Sequence, residues 1–160
     1  MNKRFENIKK KQPLLEDQLL DEFAPYLMNR IMGRYNESLR QKMTSLGLTT
    51  PKMRALAVLS AIDGMLISEL AVYAVVEQST LSRALEQLSS DGLVKREIDT
   101  IDTRATRVYL TSLGLEAFRS LWPDMLNSYN EMFNNIDGAE KSQFIITLQK
   151  ILKNIRKHEF

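Results

Sequence analysis

None of the chain's 160 residues is cysteine, which excludes disulfides, thiolate metal sites and a thiol redox switch. The single histidine, His158, has no cysteine or second histidine to join it, so no metal site is expected. No glycine-rich phosphate loop is present, and no histidine lies near a candidate nucleophile. The acidic residues are scattered along amphipathic helices, so neither catalytic residues nor a cofactor is expected, and the chain does not read as an enzyme. No apolar run reaches membrane-spanning length, and the basic start MNKRFENIKKKQ has no apolar segment behind it, so the reading is a cytoplasmic protein with no membrane partner. The formal net charge is only +2. Any nucleic-acid partner must therefore be met by locally concentrated basic residues, not by the field of the whole molecule.

What is present is the composition of a globular domain, 44% hydrophobic and 26% charged. Apolar residues recur at helical spacing at Leu15, Leu19, Phe23, Leu27, Ile31, Tyr35, Leu39, Met43 and Leu46. Pro25 suits the first turn of a long helix after a short first segment, and Gly47 suits the residue that ends it. In LTTPKMRALAVLSAIDG, Thr50 is the expected cap, Pro51 the first helical residue and Ile62-Asp63-Gly64 the stop. A third helix follows in ISELAVYAVV with Ser68 as its cap. A tight turn comes at Glu77-Gln78, and a fourth helix runs from Ser79 to Gly92. The period then changes: LVKREI and TRVYLT, joined by the polar DTIDTRA, predict a two-stranded hairpin. Thr111 caps a fifth helix, SLGLEAFRSLWPDMLNSYNEMF, with a kink expected at Pro123. Asp137 and Glu140 form a capping box for a sixth, carrying Phe144, Leu148, Ile151, Leu152 and Ile155.

The stretch QSTLSRALEQLSSDG is where chemistry enters. Wound at about 100° per residue, it places Leu81, Ala84, Leu85 and Leu88 on one side. The other side holds Ser79, Ser82, Arg83, Glu86 and Ser90, flanked by Thr80 and Gln87. A helix that only faces water usually carries more Glu and Lys. Short hydroxyls let a backbone approach phosphates and base edges, and free N–H groups at the helix start favour anions. Arg83 could offer its fork to guanine and Gln87 its amide to adenine. A short helix, a tight turn and a second helix form a helix-turn-helix, whose second helix enters the major groove. In the hairpin, Arg104 stands at the tip and Arg107 beside it, with Lys95 and Arg96 at the base. A narrow minor groove attracts an inserted arginine, and Asp102 could hold Arg104 and fix its aim.

The run from Ile67 to Gly114 resembles the winged helix-turn-helix of the multiple antibiotic resistance regulator (MarR) family. The matching segments are Glu69-Leu70-Ala71, Leu88 to Leu93, and Asp102-Thr103-Arg104 through Leu110-Thr111 to Gly114. GLTTPKMRALAVL also resembles the segment preceding this run. The implied fold is mainly α with a small β-wing: a winged helix-turn-helix with long terminal helices forming a dimerisation base. A single domain over 1–160 would use 14–46 and 112–158 as dimerisation helices and 50–111 as the DNA-binding lobe. The resemblance implies a homodimer with recognition helices about 34 Å apart on a pseudo-palindromic operator of double-stranded DNA. It further implies a repressor released by a small aromatic or phenolic effector. Met28, Met32, Tyr35, Met53, Arg54, Phe118 and Trp122 are the residues placed to line the effector cleft. The competing reading is a winged-helix protein–protein interaction module without its own operator, against which the basic wing and small-hydroxyl helix weigh. The basic stretch at Lys3-Arg4 and Lys9-Lys10-Lys11 suits either a disordered tail or an added phosphate contact.

Overall fold

Pro25 sits in the first turn of a helix, where its missing N–H removes no intrahelical bond. That helix, α1 (Ala24–Ser45), closes as expected: Gly47 takes a φ of +65°, and the Leu48 N–H reaches back 2.8 Å to the Met43 carbonyl. The computed structural model describes Leu20 and residues 22–156. Leu15, Leu19, His158 and the two basic clusters near the start lie outside the described residues. Burial in α1 begins only at Leu39 and Met43. Phe23, Leu27 and Ile31, one helical turn apart, all remain exposed. The chain accordingly divides into two compact units, 1–38 and 39–160.

In the second unit, α2 (Thr50–Ala61) has Thr49 at its N-cap position, one residue earlier than expected and without a side-chain capping bond. The Met53 N–H bonds to the Thr49 carbonyl at 2.9 Å, so Thr50 is already helical. A strand absent from the sequence reading follows, β1 (Met65–Leu66), and runs directly into α3 (Ile67–Ala74). Ser68 therefore lies inside α3 and does not cap it. Glu69 does that work, its carboxylate accepting the Leu66 N–H at 3.0 Å. Next come α4 (Gln78–Ser90), β2 (Val94–Ile98) and β3 (Thr106–Leu110). The expected two-stranded hairpin is a three-stranded antiparallel sheet in the order β1-β3-β2. Met65 pairs with Val108 and Leu66 with Arg107 on one side of β3, and Arg96 pairs with Val108 on the other. Two residues are too few to leave a periodic signature, which is why β1 was not legible. Where β1 runs out, the Asp63 carboxylate accepts the Leu110 N–H at 2.8 Å.

Two long helices complete the chain, α5 (Ser112–Met132) and α6 (Gly138–Ile155). α5 runs unbroken through Pro123. Asp137 caps α6 as expected, accepting the N–H groups of Ala139 and Glu140 at 2.8 and 2.9 Å. At the turn between these helices Phe133 meets Tyr129 and Phe144 at ring separations of 5.1 and 6.1 Å. Lys141 lies 4.3 Å from the centre of the Tyr129 ring, a cation–π contact that ties α6 back to α5. None of the residues of α6 is buried within the single chain.

The core lies around α2, which packs on α3, α4 and α5 and contributes Met53, Ala55, Leu56 and Leu59. Leu70, Leu81, Leu85, Leu88, Val108 and Leu121 close around it. No helix among the described residues is long and apolar enough to cross a membrane.

The start of α5 is locked to the end of the α4–β2 turn. Thr111 Oγ1 lies 2.8 and 3.0 Å from the Gly92 and Leu93 carbonyls and accepts the Gly114 N–H at 3.0 Å. A Cβ on Gly114 would stand 2.0 Å from the Leu93 carbonyl oxygen, backbone that is already engaged by Thr111. Gly114→Ala is therefore expected to destabilise the protein by about 3 kcal/mol or more, read as a lower thermal midpoint. An unchanged midpoint would mean the two segments are not held this closely.

Candidate nucleic-acid interface

α4 amounts to a sorting of its own sequence. Leu81, Ala84, Leu85 and Leu88 are buried, while Ser79, Thr80, Arg83, Glu86, Gln87 and Ser90 are exposed and Ser82 is half-buried. Burying three leucines and an alanine along one stripe fixes the rotation of the helix, and with it the direction of the polar face. Ala71 of α3 is buried too, a small side chain in the helix that packs on α4. Thr49 and Pro51, at the head of α2, join Thr80, Arg83, Ala84 and Gln87 around a shallow cavity of ≈ 160 Å³.

The start of α4 differs from the expectation. The Thr80 N–H is not free for an anion, because Glu77 caps the helix. The Glu77 carboxylate accepts the Thr80 N–H at 3.1 Å and the Ser79 hydroxyl. The Ser79 hydroxyl first, then the Thr80 and Ser79 N–H groups, hold this carboxyl below its ordinary pKa. Ser79 is thus committed within the protein, and the exposed face farther along, around Arg83 and Gln87, is what α4 offers a partner. The preceding turn is strained: Val75, a β-branched residue, has a φ of +52°. Arg54 holds it, donating to the Val75 carbonyl at 3.0 Å.

The wing is built on a buried carboxylate that the sequence reading missed. Asp99 is 4% exposed, and it accepts the N–H groups of Ile101 and Asp102 at 2.8 and 2.7 Å. It also pairs with the Arg107 guanidinium, which donates in turn to the Gly64 carbonyl at 2.7 Å. Arg107, expected on the exposed wing beside Arg104, is a strut joining the wing to the segment before β1. At the tip, Asp102 accepts both the backbone N–H of Arg104, at 3.0 Å, and its Nε, at 3.1 Å. The Arg104 side chain is nonetheless 90% exposed. An exposed ion pair of this kind adds little stability. Its consequence is geometric, since it restricts where the guanidinium can reach.

Along β2, Lys95 pairs with Glu97, which raises the lysine's pKa chiefly through that hydrogen bond, and Arg96 is exposed. A second link also escaped the sequence reading. Lys52 is nearly buried, with its Nζ 3.3 Å from Asp91 at the end of α4 and 3.4 Å from the Gly47 carbonyl. A lysine in register with Ala55, Leu56 and Leu59 on the inward stripe of α2 was the available signal.

The residues considered for an effector are divided between the two units. Met53 and Phe118 are buried, Arg54 is committed to Val75, and Trp122 is half-exposed with its ring 6.0 Å from Phe118. Met28, Met32 and Tyr35 belong to the first unit, where burial pushes the Tyr35 phenol up.

A helix-turn-helix followed by a β-hairpin with a pinned, exposed arginine defines a winged helix-turn-helix DNA-binding protein. Residues 46–105 match the MarR family model. A MarR-family transcriptional regulator from Silicibacter pomeroyi is 58% identical in its crystal structure. That match covers 88% of this chain and 95% of the other with a TM-score of 0.83. The chain belongs to the MarR family of transcriptional regulators. The HTH-type transcriptional repressor IacR of Pseudomonas putida is 24% identical over 135 residues, 84% of this chain and 81% of that protein. The fold is shared with Bordetella bronchiseptica BpsR, whose DNA binding is regulated by 6-hydroxynicotinic acid. That protein is 21% identical, with 81% of this chain and 98% of that one covered and a TM-score of 0.71. The protein is thus a winged helix-turn-helix transcriptional regulator, in a family of regulators and not of enzymes.

The Asp102 and Ile101 N–H groups first, then Arg107, hold the Asp99 carboxyl below the usual carboxylate range. A depressed folded pKa stabilises fully above the unfolded value of about 4 and loses that stabilisation as pH falls toward the folded value. The gap in denaturation midpoint between the wild type and Asp99→Asn is therefore expected to be constant near neutrality and to shrink below about pH 4. A gap independent of pH would show that the ionised carboxylate is not what holds the wing.

Proposed function

We propose that the protein acts as a homodimer that binds a pseudo-palindromic operator and represses transcription by covering it. In this reading α4 of each copy enters a major groove while each wing reaches the adjacent minor groove. The observation that carries it is the pairing, on one lobe, of an exposed Ser/Arg/Gln helix face with an Arg104 anchored by Asp102. Arg83 and Gln87 are the base-reading candidates, with Thr80 and Ser82 near the backbone. Lys95 and Arg96 supply positive charge along β2. Arg107 acts from within by holding the wing, and Ser79 by completing the cap of α4. The repressor IacR and the membership of the MarR family favour this over a protein–protein module without an operator.

The separation is testable by salt. Arg104→Ala is expected to weaken operator binding and to reduce the slope of log affinity against log salt by about 1, with the fold unchanged. Arg83→Ala is expected to lose about 1–3 kcal/mol at one base position per half-site, flattening the preference there. Unchanged affinity for the first variant and unchanged preference for the second, in quantitative gel shifts, would remove both residues from the interface.

Dimerisation is supported by apolar surface left open on the single chain. Leu126 and Met132 of α5 and Ile146, Ile151, Leu152 and Ile155 of α6 are all exposed, as are Leu27 and Ile31 of α1 and Phe23 just before it. Rows of this kind are what a partner surface covers. Because Leu152 and Ile155 contribute little to the packing of their own chain, Leu152→Asp with Ile155→Asp is expected to yield a folded monomer. Sedimentation would show this as a halved mass with helical content kept, and a monomeric wild type would contradict the dimer. Regulation by a small aromatic acid is the effector reading, in keeping with 6-hydroxynicotinic acid and BpsR.

A further inference from the structure

The wing tip carries a side chain that DNA binding through charge does not explain. Ile101 is 90% exposed, and Ile98, three residues before it, is 69% exposed. Single exposed apolar residues are common on surfaces and by themselves mean nothing. Ile101 differs because its backbone cannot fold it away. Its own N–H and that of Asp102 are bound to Asp99. The Ala105 N–H closes the turn onto the Asp102 carbonyl at 2.8 Å, and the Asp102 carboxylate takes the Arg104 N–H. The turn that aims Arg104 thus also holds an isoleucine in water, three residues away.

We propose that Ile101 is a docking residue for the minor groove, seated against the deoxyribose wall beside the position Arg104 occupies. This rests on the operator-binding reading and adds to it an apolar contact next to the ionic one. The groove's walls present sugar C–H surface, and apolar side chains are used against minor grooves beside cationic ones. The guanidinium supplies attraction that depends on salt, whereas the isoleucine supplies burial that does not. Its place in the same turn as Arg104 is what commits this surface to DNA and not to a protein partner.

The two contributions separate in one experiment on the full-length protein. Ile101→Ala is expected to lower operator affinity about five- to tenfold, the loss from partial burial of one aliphatic side chain. The salt slope should stay at the wild-type value, because no phosphate charge is involved. Ile101→Leu should restore most of the affinity, and Ile101→Thr, which keeps the branched Cβ but adds a hydroxyl, should not. Wild-type affinity in Ile101→Ala overturns the inference, as does a lowered salt slope or an equal loss in the Leu and Thr variants. In each of those cases wild-type binding still supports the operator reading. A wild type without preference among DNA fragments would take down that reading and this inference together.

Discussion

The geometry of the DNA-binding lobe depends on one buried carboxylate, Asp99, and the guanidinium that meets it. A carboxylate covered by its own turn is costly unless each oxygen is satisfied. Here two backbone N–H groups and Arg107 satisfy it. Arg107 in turn spends a second donor on the Gly64 carbonyl, in the turn that leads into β1. The wing is thereby fastened at its root to the segment that leads into the helix-turn-helix. A two-stranded hairpin alone is marginally stable in water. The third strand, short as it is, and this strut turn the hairpin into a fixed projection.

α4, the proposed recognition helix, is held by a parallel logic at both ends. At its start Glu77 takes up the Thr80 N–H that phosphate would otherwise find. At its finish Lys52 reaches Asp91 from the inward face of α2. Between them the leucine stripe sets the rotation. The chain thus places its polar helix face by packing and by internal ion pairs. On the proposed operator-binding reading, DNA would meet a surface already formed, which lowers the ordering cost of binding. The strained Val75 turn belongs to the same scheme, since Arg54 holds by a hydrogen bond a conformation that a valine disfavours.

Much of this was legible in the residues. The α4 stripe, the Gly47 stop, the Thr111 and Asp137 caps and the Asp102–Arg104 pair all follow from local rules of spacing and capping, and the structure reproduces them. What was not legible depends on partners distant in sequence. β1 is defined only by its pairing with β3, more than 40 residues on. Arg107 reads as a surface cation until Gly64 and Asp99 come beside it. Thr50 and Ser68 are both good capping types in sequence, but the first is already helical and the second lies past the end of a strand. The exposed apolar rows on α1, α5 and α6 have a further cause. On the proposed dimer, their burial is completed by the second copy.

The central claim is that the wing is ordered before DNA arrives. Backbone order parameters for Ile101, Asp102 and Arg104, measured by NMR relaxation on the free protein, test it most directly. The account predicts values near those of a rigid backbone, about 0.85, with little change when operator DNA is added. Values below about 0.6 in the free protein, rising only in the complex, would mean that DNA orders the wing and would contradict it.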